Sequence, residues 1–253
     1  MTRTSLHPPG FSLMELMCSM VIGAIILLAA TAMLGSSGDG YERISGGMAA
    51  EREARALIAQ LSADLSTGRY HKDGVFAKSS AVWPVDRLGF LTLQPARAQS
   101  DAGRIGDLCA VNYYIKDLTI NGKTVRCLMR GFRESAITFK ALSNNHVSAL
   151  FTQPNPTDEP VAFGVVSFEA RPKTRDAAGR WIDWAPDDDA GPEALEVSLV
   201  LARHSLAGKL TLPDDWDGAG TRGRLLGTPS EAFRNANLEV YATLMRFGNH
   251  EHP

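Results

Sequence analysis

The sequence predicts an α+β fold in which a long N-terminal helix, membrane-spanning in its first half, packs on a largely antiparallel β-sheet. Three observations carry this. Residues 11–34 read FSLMELMCSMVIGAIILLAATAML, with Glu15 as the sole formal charge. Residues 42–68 then resume helical spacing, with apolar side chains on one stripe. From Tyr70 onward, strand-like runs alternate with Gly-, Pro- and Asp-rich connections, and Asn121-Gly122 is a strong hairpin signal.

Length and composition frame the rest. A chain of 253 residues corresponds to one or two domains. Hydrophobic content of 44% and charged content of 21% suffice for a core. Mean hydropathy is close to neutral because nearly all the excess apolarity sits between Phe11 and Leu34. A net charge of -2 lacks the basic footprint of nucleic-acid binding, so no nucleic acid is expected as a partner. Cys18, Cys109 and Cys127 are too few and too scattered for a disulfide framework or a CxxC metal site.

As a helix, residues 11–34 extend ~36 Å, enough to cross a hydrocarbon core of about 30 Å. The preceding MTRTSLHPPG carries Arg3 and no acid, which favours a cytoplasmic N-terminus with the remaining chain on the opposite side. Three readings compete for this segment. A secretory signal peptide has a shorter apolar run followed by its cleavage site. A plain signal anchor fits the length but gives no reason for a carboxylate at the start of the span. The third reading rests on Gly10, whose missing Cβ lets the backbone enter a peptidase cleft, and on Pro8 and Pro9, which keep that region extended.

Pro9-Gly10-Phe11-Ser12-Leu13-Met14-Glu15-Leu16 resembles the type IV prepilin signature. The resemblance implies that a membrane aspartyl prepilin peptidase cuts between Gly10 and Phe11 and N-methylates Phe11. It also implies that Glu15 neutralises the terminal amine of a neighbouring subunit. An acid central in a span costs about 2.5–3.5 kcal/mol, and Glu15 sits one turn after Phe11, near the membrane edge where the cost is lower. Its rival role is a carboxylate snorkelling to the interface unpaired.

Gly35-Ser36-Ser37-Gly38-Asp39-Gly40 predicts a flexible interruption with a kink or local melting. Beyond it, Ile44, Met48, Ala54, Ile58, Leu61 and Leu65 are expected on one stripe, with Glu51, Arg52, Arg55 and Asp64 on other faces and Gly68 as the stop. The domain reading is a leader over 1–10, an assembly helix over 11–38, an amphipathic helix over 39–69 and a β-rich domain over 70–253.

Strands are expected at Asp86–Pro95, Leu108–Ile120, Lys123–Glu134, Val161–Pro172, Ala194–Arg203 and Leu238–Phe247. A two-residue turn at Asn121-Gly122 sets Ile115 opposite Leu128, Val111 opposite Phe132 and Lys116 opposite Cys127. That register separates Cys109 from Cys127 and argues against a disulfide. Arg175–Arg180, Pro186–Pro192 and Pro213–Gly227 read as loops, and Thr228–Asn235 as a short helix. The stretch ALIAQLSADLSTG, followed by a hairpin containing VNYY and VRCLMRGF, resembles larger minor pseudopilins, particularly the J component of type II secretion. EREARALIAQLSADLSTG with the same hairpin is similar to the Verru_Chthon cassette protein C family. These resemblances imply a pilin-like fold.

The six histidines fall in no ligand spacing, and GxSxG, P-loop and GxGxxG motifs are absent from the sequence. No catalytic residue, resident metal or cofactor is therefore expected. Asp187–Asp189 and the group Asp214, Asp215 and Asp217 place oxygen ligands close together, so the latter is a calcium candidate, though without EF-hand spacing. Trp181, Trp184 and Trp216 are either a partner surface or anchors of core and loops. The expected role is a minor pilin-like subunit in the inner membrane, single-pass, with a periplasmic C-terminal domain. Its expected partners are prepilin peptidase, other pilin or pseudopilin subunits and membrane lipid, in a type IV pilus or type II secretion-like filament, at or near the tip. The alternative is a membrane-anchored binding or enzymatic ectodomain that mimics a prepilin.

Overall fold

Apolar residues at 50, 54, 57, 61 and 65 recur at steps of three and four, the spacing that lines one face of a helix. The structure, a computed structural model, describes residues 12–186, 191–203, 206–209, 213–216 and 230–248. It divides into two units, Met1–Ser45 and Gly46–Pro253.

In the first unit the chain is helical from Leu13, and helix α1 is continuous to Ser66 in the second. The expected interruption at residues 35–40 does not occur. A helical Gly costs about 1 kcal/mol relative to Ala, which cooperative propagation from both sides outweighs. The Ser36 hydroxyl bonds back to the Met33 carbonyl at 3.0 Å rather than breaking the ladder. The stretch Leu13–Gly38 is long and apolar enough to cross a membrane, and none of it is buried.

In the second unit, Ala50, Ala54, Leu57, Leu61 and Leu65 of α1 are buried and Ile58 is partly buried. Met48, expected on the stripe, is exposed, as is Ile44 within the first unit. The helix ends at Ser66. Gly68 has no positive φ and, with Arg69, forms strand β1 instead of a left-handed cap. Strands β2 (Val75–Ala77) and β3 (Arg87–Leu93) follow. Next come β4 (Leu108–Ile120) and β5 (Lys123–Arg133), helices α2 (Ser135–Ser143) and α3 (Val147–Thr152), and β6 (Glu159–Phe163). Among the described residues these strands form one six-stranded antiparallel sheet, ordered β1-β3-β4-β5-β6, with β2 also on β3.

The hairpin follows the expected register: Ile115 lies opposite Leu128, Val111 opposite Phe132, and Lys116 opposite Cys127. Asn121 and Gly122 both have positive φ, as a type I′ turn requires. Cys109 and Cys127 are buried and unbridged.

The expected strand over residues 161–172 is two strands. Gly164, at φ +67°, ends β6 and lets β7 (Val165–Arg175) turn into a second sheet. A Cβ there would also lie 2.8 Å from the Ala207 methyl. Strands β8 (Trp181–Asp183), β9 (Ala194–Ala202) and β10 (Leu238–Arg246) complete a four-stranded antiparallel sheet ordered β10-β9-β7-β8. Among the described residues the fold thus has two sheets where one was expected. Within Pro213–Gly227, expected as loop, Pro213–Trp216 is a short helix, α4. Helix α5 (Ser230–Asn237) lies close to its expected place.

The core joins the α1 stripe to Leu88, Phe90, Val111 and Leu128 of the first sheet. Phe168, Leu195, Val197, Leu199 and Leu201 come from the second. Helices α2 and α3 cover the opposite face of the first sheet, where Phe151, Leu150 and Val147 meet Leu91 and Ala110.

Candidate functional site

Gly10 and Phe11 lie outside the described residues. The helix they precede starts with a defined cap. Ser12 accepts the Glu15 N–H on its Oγ at 3.2 Å, and its carbonyl accepts the N–H groups of Glu15 and Leu16 at 3.1 and 3.2 Å. Ser12-x-x-Glu15 has the spacing of a capping box, a signal legible in the sequence beside the Gly10-Phe11 signature. Glu15 therefore sits in the first turn, where the positive end of the helix dipole favours a carboxylate. Its side chain is exposed and has no partner among the described residues.

The other polar groups of the apolar stretch are turned inward on the backbone. Ser19 and Thr31 donate to the carbonyls of Leu16 and Leu28 at 2.8 and 2.9 Å. What the helix offers its surroundings is apolar: Leu13, Met17, Ile22, Ile25 and Leu28 are all more than half exposed. Such a surface is satisfied by lipid or by another apolar helix, not by water.

The second unit uses its buried charges to lock elements together. Asp64, expected on a face of α1 other than the apolar stripe, is fully buried. Its Oδ2 accepts the Tyr113 hydroxyl at 2.6 Å and Arg130 Nε at 2.8 Å, and its Oδ1 accepts Arg130 Nη2 and Gln94 Nε2, each at 3.0 Å. Burial, reinforced by the neighbouring Asp64 charge, raises the Tyr113 pKa well above the usual phenol value. Burial alone would lower Arg130; its hydrogen bond to Asp64, together with the Asp64 charge and the Tyr113 hydroxyl, outweighs that and raises it. One carboxylate thus ties the end of α1 to β4 and β5.

A second network joins Asp158 to Arg133, to the Tyr114 hydroxyl at 2.7 Å and to the Asn155 N–H at 2.8 Å. Burial would raise the Asp158 pKa, but these donors together hold it below the usual carboxylate range. Asp86, also buried, accepts the N–H groups of Ser79 and Ala170 at 2.7 and 2.9 Å and so ties the two sheets.

Burial pushes the Cys109 and Cys127 thiols up to about 11, so both stay protonated at neutral pH. Among the described residues no group of three His, Cys, Asp or Glu side chains could hold a metal ion. Of the calcium candidate, Asp217 lies outside the described residues, while Asp214 and Asp215 are on α4, where Asp215 is buried. Asp187–Asp189 are also outside them. Trp184 and Trp216 are buried anchors; Arg175 stacks over Trp181 at 4.7 Å.

A family model described as the prokaryotic N-terminal methylation motif matches residues 9–31. With the apolar N-terminal helix, this match supports a type IV pilin-like protein processed by prepilin peptidase and assembled with other pilins. No curated protein and no solved structure matches the chain.

Proposed function

We propose that this chain is a minor pilin or pseudopilin. It is cleaved after Gly10, N-methylated on Phe11, and assembled through its apolar helix into a type IV pilus or type II secretion-like filament. The supporting observation is the coincidence of the methylation motif over residues 9–31 with an unburied apolar helix over Leu13–Gly38. A helix of 26 residues measures about 39 Å, enough to anchor the precursor across a bilayer. Arg3 ahead of it supports an inner-membrane topology with the second unit in the periplasm. After cleavage, the same surface transfers from lipid to the helices of neighbouring subunits. Glu15 then meets the new amine of a neighbour, a pair that sets register in a low-dielectric bundle.

The role is structural, and we assign the protein no reaction of its own. The buried Arg130–Asp64 and Arg133–Asp158 networks support this, since each of these charges is engaged in joining elements. A position at or near the filament tip accords with the size of the second unit, whose insertions would obstruct repeated lateral packing.

Mass spectrometry of the mature amino terminus tests the proposal. Cells with the peptidase should yield a chain beginning at N-methyl-Phe11, and Gly10→Leu should leave the precursor uncut. An unchanged, uncleaved terminus in wild type would instead make the protein a tethered ectodomain.

A further inference from the structure

Among the described residues, the last residues of β4 carry an unused sheet edge. Pairing of β3 with β4 ends at Leu88 opposite Tyr113, whereas β4 continues to Ile120 with only β5 of the described strands beside it. The chain that could have extended β3 is diverted to the other sheet. Phe168 N–H donates to the Pro84 carbonyl, and Asp86 N–H donates to the Phe168 carbonyl, both at 2.9 Å. In the two-residue hairpin, Ile120 and Lys123 exchange hydrogen bonds, so alternate residues of β4 face β5. The peptide groups of Ile115, Asp117 and Thr119 therefore point away from it. The stretch is five residues, about 17 Å, long enough for a short added strand.

This edge borders a pocket of about 280 Å³ lined by Val85, Arg87, residues 114–117 and Arg126. Its charge is unbalanced, with three cations against Asp117. Arg126 is the most telling. Its Nε is buried without a hydrogen-bond partner among the described residues, and its guanidinium stacks 4.7 Å from the centre of the Trp216 ring. Asp117 lies directly across the hairpin but makes no ion pair with it among the described residues. Burial lowers the Arg126 pKa, as expected for a cation short of compensation. Lys116 is exposed and also unpaired among the described residues, whereas Arg87 is occupied by the Thr152 carbonyl and the Tyr114 ring. Lys116 shares its face of the hairpin with Tyr114 and Leu118, and Arg126 shares the other with Leu128.

We propose that this edge accepts an extended acidic segment of a partner protein as an added strand on β4, with carboxylates reaching Arg126 on one face and Lys116 on the other. Main-chain bonds to residues 115, 117 and 119 supply the docking, and charge supplies the choice of partner. Successive residues of a strand face opposite sides, so two adjacent acids serve both cations. The inference is independent of whether the N-terminus is cleaved.

The test uses the full chain in detergent micelles and fluorescence anisotropy with labelled Val-Thr-Glu-Glu-Thr-Val and Val-Thr-Lys-Lys-Thr-Val. The acidic peptide should bind about tenfold tighter or better, as charge-assisted contacts imply. Lys116→Glu, at an exposed position, and Arg126→Gln should each erase most of that preference. Asp117→Pro removes an outward N–H while leaving the β4–β5 ladder intact, and should abolish binding with an unchanged far-UV spectrum. Equal binding of the two peptides overturns the proposal. So does undiminished binding by Asp117→Pro, which would show charge attraction without strand addition.

Discussion

Replacing Asp64 with Ala should be among the most damaging single changes to the second unit. The carboxylate is fully buried and receives the Tyr113 hydroxyl, two Arg130 nitrogens and the Gln94 amide. Removing one partner of a buried ion pair costs about 3–5 kcal/mol, because the other charge is left uncompensated. Two effects pull toward the lower end. The Arg130 side chain is 17% exposed, beside a pocket of about 540 Å³ through which water can reach it. Ala also favours helix over Asp by some tenths of a kcal/mol. The orphaned Tyr113 hydroxyl, which has no such access, acts the other way. The net loss is about 3 kcal/mol.

The assay is urea unfolding of the full chain in detergent, followed by the fluorescence of Trp83, Trp181, Trp184 and Trp216, all in the second unit. With an m-value of about 2 kcal/mol per molar urea, the midpoint should fall by about 1.5 M. Pairing Asp64→Ala with Arg130→Met removes the stranded charge, so the double variant should be about 2 kcal/mol more stable than additivity predicts. A midpoint shift below about 0.3 M, or strict additivity of the two changes, would refute the argument that this pair holds the helix to the sheet.

Three further outcomes follow from the same geometry. In Gly89→Ala the new Cβ would lie 2.5 Å from Phe151 Cβ, so β3 and α3 must separate, and thermal unfolding should show a loss of about 1–3 kcal/mol. Asp158 has a depressed pKa in the folded state, so its contribution is present above the unfolded carboxylate value and is lost as pH falls through the folded one. Asp158→Asn should therefore be less stable at pH 7 and show a shallower acid limb in a pH series of unfolding curves. Glu15→Gln and Glu15→Leu both keep the cap, which is made by the backbone N–H of residue 15 to Ser12 Oγ, and both remove the charge. Crosslinking should show both variants defective in multimer formation, and undiminished multimers with either would refute charge pairing as what sets register.

The reading of β4 and β5 was accurate because a two-residue Asn-Gly turn leaves one register, and alternation then assigns every face. Strand division at Gly164 was missed, although an isolated Gly in an apolar run marks a bend. Which sheet follows the bend depends on the distant partner β9. Helices α2 and α3 were not anticipated, since Ile137 and Phe139 stay partly exposed and the amphipathic pattern is shallow. The methylation motif over residues 9–31 was legible because its signal is local: Gly10, Phe11 and Glu15 lie within half a dozen positions. Asp64 belongs to the buried stripe and not to another face of the helix, as its spacing from Leu57 and Leu61 already indicates. Its cation was within reach of the same reasoning. The hairpin register that pairs Val111 with Phe132 and Ile115 with Leu128 also sets Tyr113 opposite Arg130, between two inward-facing apolar rows. An acid on the buried stripe of a helix requires a cation from the surface it packs against, and alternation left Arg130 on that surface. Helical and strand periodicity, read together, thus meet at the Asp64–Arg130 contact.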